Sequence, residues 1–138
     1  MKETALKKSN VLVVESLSDS KRIIGGLQHE YGVRTLYRTS DDLPPNLSEY
    51  LRNHKVNYAV VHATAENLEN VIRANNEGHK IVVLGRTDRN VLRQEDLDAY
   101  AAMRKEGIHV IAKDRENPEY SIEGIAMALL GQQWEKQS

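Results

Sequence analysis

Reactive side chains in this chain of 138 residues collect at the ends of short aliphatic runs. Glu15 and Ser16 follow "VLVV", His62 follows "YAVV", Gly85 and Arg86 close "KIVVLGR", and Lys113 follows "IHVIA". A carboxylate, an imidazole and an ammonium brought together could bind phosphate, hold a metal ion or form a fixed charge pair. The stretch "ESLSDS" (Glu15–Ser20) adds the hydroxyls of Ser16, Ser18 and Ser20 and a second acid, Asp19. Hydroxyls at a helix start suit a phosphate, because the first backbone N–H groups there lack intrahelical partners. The same residues also suit a plain helix cap, with Ser18 or Asp19 in the capping position.

Metal chemistry is thinly supplied. There are no cysteines, so thiolate sites, disulfides and a cysteine nucleophile are excluded. A zinc site takes at least three protein ligands, and His29, His54, His79 and His109 fall on segments apart from His62. His62 reads first as a hydrogen-bonded polar residue at a strand end, with metal ligation or phosphorylation as competing roles. The stretch "LGRTDRNVLR" gathers Arg86, Arg89 and Arg93, but Asp88, Glu95, Asp96 and Asp98 neutralise it, so it reads as a solvated loop. A net charge of -1 gives no pull toward nucleic acid or an anionic membrane. No apolar run approaches the ~20 residues that span a bilayer, and "MKETALKKSN" has no apolar h-region. The expectation is a cytoplasmic protein that needs no cofactor and no metal.

The elements that must position these residues follow from hydrophobic pattern. Val11–Glu15, Val33–Arg38, Tyr58–Ala63, Lys80–Gly85 and Ile108–Lys113 read as strands. All but the second are nearly continuous in apolar residues, as strands covered on both faces are. Val33–Arg38 alternates and reads as an edge. Helical segments lie between them at Ser18–Tyr31, Asn46–His54, Ala65–Asn76, Glu95–Glu106 and Pro118–Gln133, with Gly32 and Gly107 as stops and Pro118 in a first turn. Gly25 and Gly26 weaken the first helix by roughly 1 kcal/mol each against alanine. Phenylalanine is absent and Trp134 is the single tryptophan, so the core must be aliphatic. The alternation predicts an α/β fold, a single (βα)5 doubly wound parallel sheet of flavodoxin-like order 2-1-3-4-5. It predicts a domain over 10–134 with polar tails at 1–9 and 135–138. In such a sheet ligands bind beyond the carboxyl ends of the strands, which is where the reactive residues fall.

In order and spacing, the segments "VLVVES", "NYAVVHA", "KIVVLGR" and "GIHVIAKD" resemble the receiver domain of bacterial response regulators across nearly the whole chain. The resemblance implies a pocket that takes a phosphoryl group on an aspartate beside a magnesium ion. Position by position the pocket is degenerate. Glu15 stands for the first acid and Ser16 for the metal-holding second. His62 stands at the phospho-acceptor, Gly85 at the hydroxyl that senses phosphorylation, and Val110 at the aromatic switch. Lys113 alone is kept, with Asp114 in place of the usual proline. Magnesium prefers several hard oxygen ligands, and without it the charge on a transferring phosphoryl group is uncompensated.

The expectation is therefore a non-catalytic pseudo-receiver in which Glu15 pairs with Lys113 beside His62. It would act by protein–protein interaction, on another signalling protein or an output domain of its own. Such domains occur in circadian-clock input, motility and transcription regulation. Receivers pair through a face of the fourth and fifth helices, which here would offer Tyr100, Met103, Arg104, Glu119, Glu123 and Met127, and a homodimer through it is one option. Two alternatives stand beside this. One is an atypical phospho-receiver using Glu15, His62 or Asp114. The other is a flavin- or small-ligand-binding domain using the serines after the first strand, where no glycine allows close approach and Asp19 would repel phosphate.

Overall fold

The computed structural model describes residues 6–40, 43–87 and 92–131. Among them run β1 (Asn10–Val14), α1 (Leu17–Tyr31), β2 (Arg34–Arg38), α2 (Leu47–Asn53), β3 (Tyr58–Ala63), α3 (Leu68–Asn76), β4 (Lys80–Gly85), α4 (Gln94–Lys105), β5 (His109–Ala112) and α5 (Ile122–Leu129). The five strands form one parallel sheet in the order β2-β1-β3-β4-β5. This is the predicted flavodoxin-like architecture.

Side-chain alternation divides the core into two layers, which explains the continuous apolar runs. Leu12, Val14, Ala59, Val61, Ile81 and Val83 pack with α2, α3 and α4. Val11, Val13, Val60, Val82, Leu84 and Ile111 pack with α1 and α5. Every one of these side chains is essentially inaccessible to water.

Local chemistry moved several boundaries from their expected places. Ser16, rather than Ser18 or Asp19, is the N-cap residue of α1, and its hydroxyl donates to Asp19 instead of capping an N–H. The third helical segment opens as a 3-10 turn over Ala65–Asn67, because the Asn67 side chain accepts from the Thr64 N–H. α5 begins at Ile122, so Pro118 and Tyr120 lie outside it. Asn117 holds the preceding loop by accepting from Glu119 N–H and donating to the Ala112 carbonyl, and the Ser121 hydroxyl caps the helix on Gly124 N–H. Gly32 ends α1 in the left-handed region, at φ 66°, as its position suggested. Leu6 is fully buried, and Ser9 N–H closes a turn on its carbonyl. The polar-tail reading of 1–9 therefore fails at Leu6. Residues 1–5 and 135–138, together with Trp134, Asp88 and Arg89, lie outside the described residues.

Candidate functional site

Because all strands run parallel, the predicted residues gather along one rim of the sheet. Glu15 follows β1 directly and is 1% exposed. Its Oε1 accepts from Ser16 N–H at 2.8 Å and from the Lys113 ammonium at 2.9 Å. Its Oε2 is buried with no hydrogen-bond partner among the described residues. Lys113 also lies 3.4 Å from the Asp19 carboxylate, so one ammonium is shared between two acids. Burial works against the charged amine, but the hydrogen bond and charge of Glu15 outweigh it, and the pKa of Lys113 is raised. Two further bonds fix the end of β5. Lys113 N–H donates to the Gly85 carbonyl at 3.0 Å, and the Thr87 hydroxyl donates to the Lys113 carbonyl at 2.8 Å.

His62 stands at the same rim on β3. Its Nδ1 lies 3.1 Å from the Leu84 carbonyl, an acceptor only, so Nδ1 carries the hydrogen. Burial lowers the pKa of His62, Lys113 and Arg86 add to this, and Glu15 opposes it. The balance favours the neutral imidazole.

Gly85 is buried because a ring fills the space beside it. A Cβ there would lie 3.2 Å from the Tyr100 ring and 3.4 Å from Val110. The Tyr100 hydroxyl donates to the Ala63 carbonyl at 2.7 Å and accepts from Arg86 N–H at 2.8 Å. An aromatic side chain from α4 thus bolts the ends of β3 and β4 together, and its pKa is raised by burial.

Tyr100 and Met103, expected on an interaction face, are core residues at 4% and 0% exposure. α4 turns Ala99, Tyr100 and Met103 inward, the spacing of one helical stripe. The outer face retains Arg104 and Glu123, both exposed, with Glu119 and Met127 partly covered. Glu119 accepts from His109 at 3.1 Å. Asp96, one of the acids beside the arginine stretch, is 4% exposed and accepts from the N–H groups of Ala65 and Arg93. Asp114 is exposed and accepts from Glu116 N–H in a local turn.

Sequence reasoning missed Asp19, Thr87 and Tyr100 as members of this rim. Asp19 stood in the sequence as a second acid after β1, but its pairing with Lys113 is a tertiary contact. Tyr100 gave no such signal, since its partners are backbone groups on two distant strands.

These residues do not fit a magnesium ion. Oε1 of Glu15 and the Asp19 carboxylate are already held by Lys113, and among the described residues no group of three or more His, Asp or Glu could hold a metal. Two of the serine hydroxyls after β1 are also engaged locally. Ser20 donates to the Ser16 carbonyl at 2.6 Å, and Ser16 donates to Asp19 at 3.1 Å.

The fold is flavodoxin-like, and receiver domains of response regulators share it. The chain is similar to an RcsB chain from a structure of two RcsB dimers bound to two parallel DNAs, with a TM-score of 0.64 and 12% identity over 95% of this chain. It spans 64% of that RcsB chain. It is similar to the signal receiver domain of a Luxo repressor protein from Vibrio parahaemolyticus, with a TM-score of 0.61, 14% identity, and 90% and 92% of the two chains covered. A dodecameric FMN-dependent Ubix-like decarboxylase from Escherichia coli O157:H7 shares the architecture, with a TM-score of 0.60, 10% identity, and 94% and 100% of the two chains covered. No family model matches the chain, and no curated protein does. Among the described residues no helix is long and apolar enough to cross a membrane.

Proposed function

We propose that this chain is a pseudo-receiver, a signalling domain that keeps the receiver fold and works through protein contacts without phosphorylation. The observation that carries the reading is the Lys113 ammonium, held 2.9 Å from Glu15 and 3.4 Å from Asp19. A side-chain cation neutralises the acids that would otherwise attract a metal. The neutral imidazole of His62 stands where a carboxylate nucleophile would be needed. Tyr100 supports the reading from the other side, because it fills the slot beside Gly85 and ties α4 down. A domain built this way offers a fixed surface, with Arg104, Glu119, Glu123 and Met127 as the contact face for another signalling protein, an output domain of its own or a second copy. The likeness to the Ubix-like protein calls for one control, the absorbance of the purified protein in the flavin range.

The test is an amide NMR titration with magnesium and then beryllofluoride, a phosphoryl mimic. The expected result is no shift at Glu15, His62, Gly85 or Lys113. Saturable shifts there, spreading into α4, would overturn the proposal in favour of an atypical phospho-receiver.

A further inference from the structure

We propose that the open edge of β2 takes up an extended segment of a partner protein in which apolar and acidic residues alternate. This surface is separate from the acid rim and does not depend on whether that rim accepts a phosphoryl group.

Four large apolar side chains stand exposed among the described residues: Leu17 at 56%, Leu97 at 47%, Tyr37 at 41% and Leu36 at 37%. All but Leu97 sit on β2 or at the start of α1. β2 ends the sheet. Arg34 N–H donates to the Ser9 carbonyl, and the Arg38 carbonyl accepts from Glu15 N–H, so these residues turn their backbone groups toward β1. Backbone groups of successive strand residues point to alternate sides, and those of Thr35 and Tyr37 therefore face the open edge. Charged residues often guard such an edge against pairing. Arg34 and Arg38 would serve that purpose, but a guarded edge does not call for exposed leucine and tyrosine between them.

A groove of about 360 Å³ runs beside this edge, lined by Leu17, Lys21, Ile24, Gly25, Gln28 and Tyr37. Its floor explains a residue that is otherwise costly. Gly26 is small because Ile122 packs directly on it. Gly25 has nothing within 4 Å of where a Cβ would stand, yet a glycine there weakens the helix relative to alanine. The bare backbone leaves room for a side chain from outside the chain.

Charge selects the occupant. Leu36 pairs in register with Leu12, placing it with Arg34 and Arg38 on the α2 side of the sheet, opposite the groove. An added strand would put every second residue in the groove and the intervening ones beside Arg34 and the Arg38 guanidinium, which stacks over the Tyr50 ring at 4.9 Å. Apolar residues suit the first set and acids the second. A second copy is disfavoured in the register that pairs the two strands about Leu36. Two-fold antiparallel pairing centred on Leu36 sets Arg34 of one copy against Arg38 of the other, and like charges directly opposite are unfavourable. Strand addition of this kind takes affinity from main-chain bonds and specificity from alternate side chains.

The test uses a blocked heptapeptide alternating leucine and glutamate, with a leucine–lysine heptapeptide as control, titrated into the full chain and followed by NMR. The leucine–glutamate peptide is expected to give saturable shifts at Thr35, Tyr37 and Gly25, with slowed amide exchange at Thr35 and Tyr37. Gly25→Leu should weaken binding at least tenfold without lowering Tm, and Arg34→Glu should shift preference to the lysine peptide. Absence of shifts, equal binding of both peptides, or full binding by both variants would overturn the proposal. Concentration-dependent shifts at the same amides without peptide would assign the edge to a second copy and also overturn it.

Discussion

Removing one partner from a buried ion pair leaves the other charge uncompensated, at a cost of roughly 3–5 kcal/mol. Lys113→Ala would do this to Glu15, which is 1% exposed, and we expect a loss of that order in urea unfolding. The same substitution removes a positive charge that helps hold the His62 pKa down, so that pKa should rise, as read from imidazole NMR. If neither quantity moved, the rim would not be a coupled network. His62 also sets a pH dependence. Its pKa is lowered on folding, from an ordinary value of 6.5, mainly by burial. Between that value and the lower folded one the unfolded chain binds more protons, so stability is whole above the window and declines as pH falls through it. His62→Gln should flatten that slope in unfolding measured from pH 7 downward. Glu15, His62 and Lys113 were legible in the sequence because each ends an aliphatic run. Asp19 read as a cap, and only the fold brings it to Lys113.

Among the elements, α4 is tied to the sheet by the Tyr100 hydroxyl, and α1 meets α5 where Gly26 lacks a side chain. Tyr100→Phe keeps the ring against Gly85 but leaves the Ala63 carbonyl and Arg86 N–H without their partner. We expect a loss of about 1–3 kcal/mol and faster amide exchange in α4, measured by hydrogen–deuterium exchange. The adjacent glycines of α1 should answer in opposite directions to alanine. Gly25→Ala should raise stability by up to about 1 kcal/mol through helix propensity. Gly26→Ala should lower it by about 1–3 kcal/mol, because Ile122 occupies the space. Thermal unfolding of the pair decides this. β3 and β4 fell where their apolar runs place them, since hydrophobic pattern alone delimits a strand buried on both faces. The start of α5 was not legible. It depends on Asn117 and Ser121 bonding to backbone in a loop that Pro118 makes look helical. Tyr100 and Met103 carried the right period for α4, but a period does not say which face the sheet will cover.

For the molecule as a whole, the sheet with a separate apolar layer on each side was readable from the alternation of strand and helix. Its N-terminal limit was not, because Leu6 has only Ala5 beside it in a stretch otherwise charged or polar, with no periodicity around it. Leu6→Ala should cost about 2–5 kcal/mol, seen as a lower urea midpoint, and a chain starting at Asn10 should lose at least as much. Lys113 has a consequence for time as well as for charge. An ion borrowed from the medium comes and goes with its concentration, whereas an amine carried by the chain cannot be chelated, diluted or washed away. The arrangement at the rim is set when the protein folds and endures for as long as it stays folded.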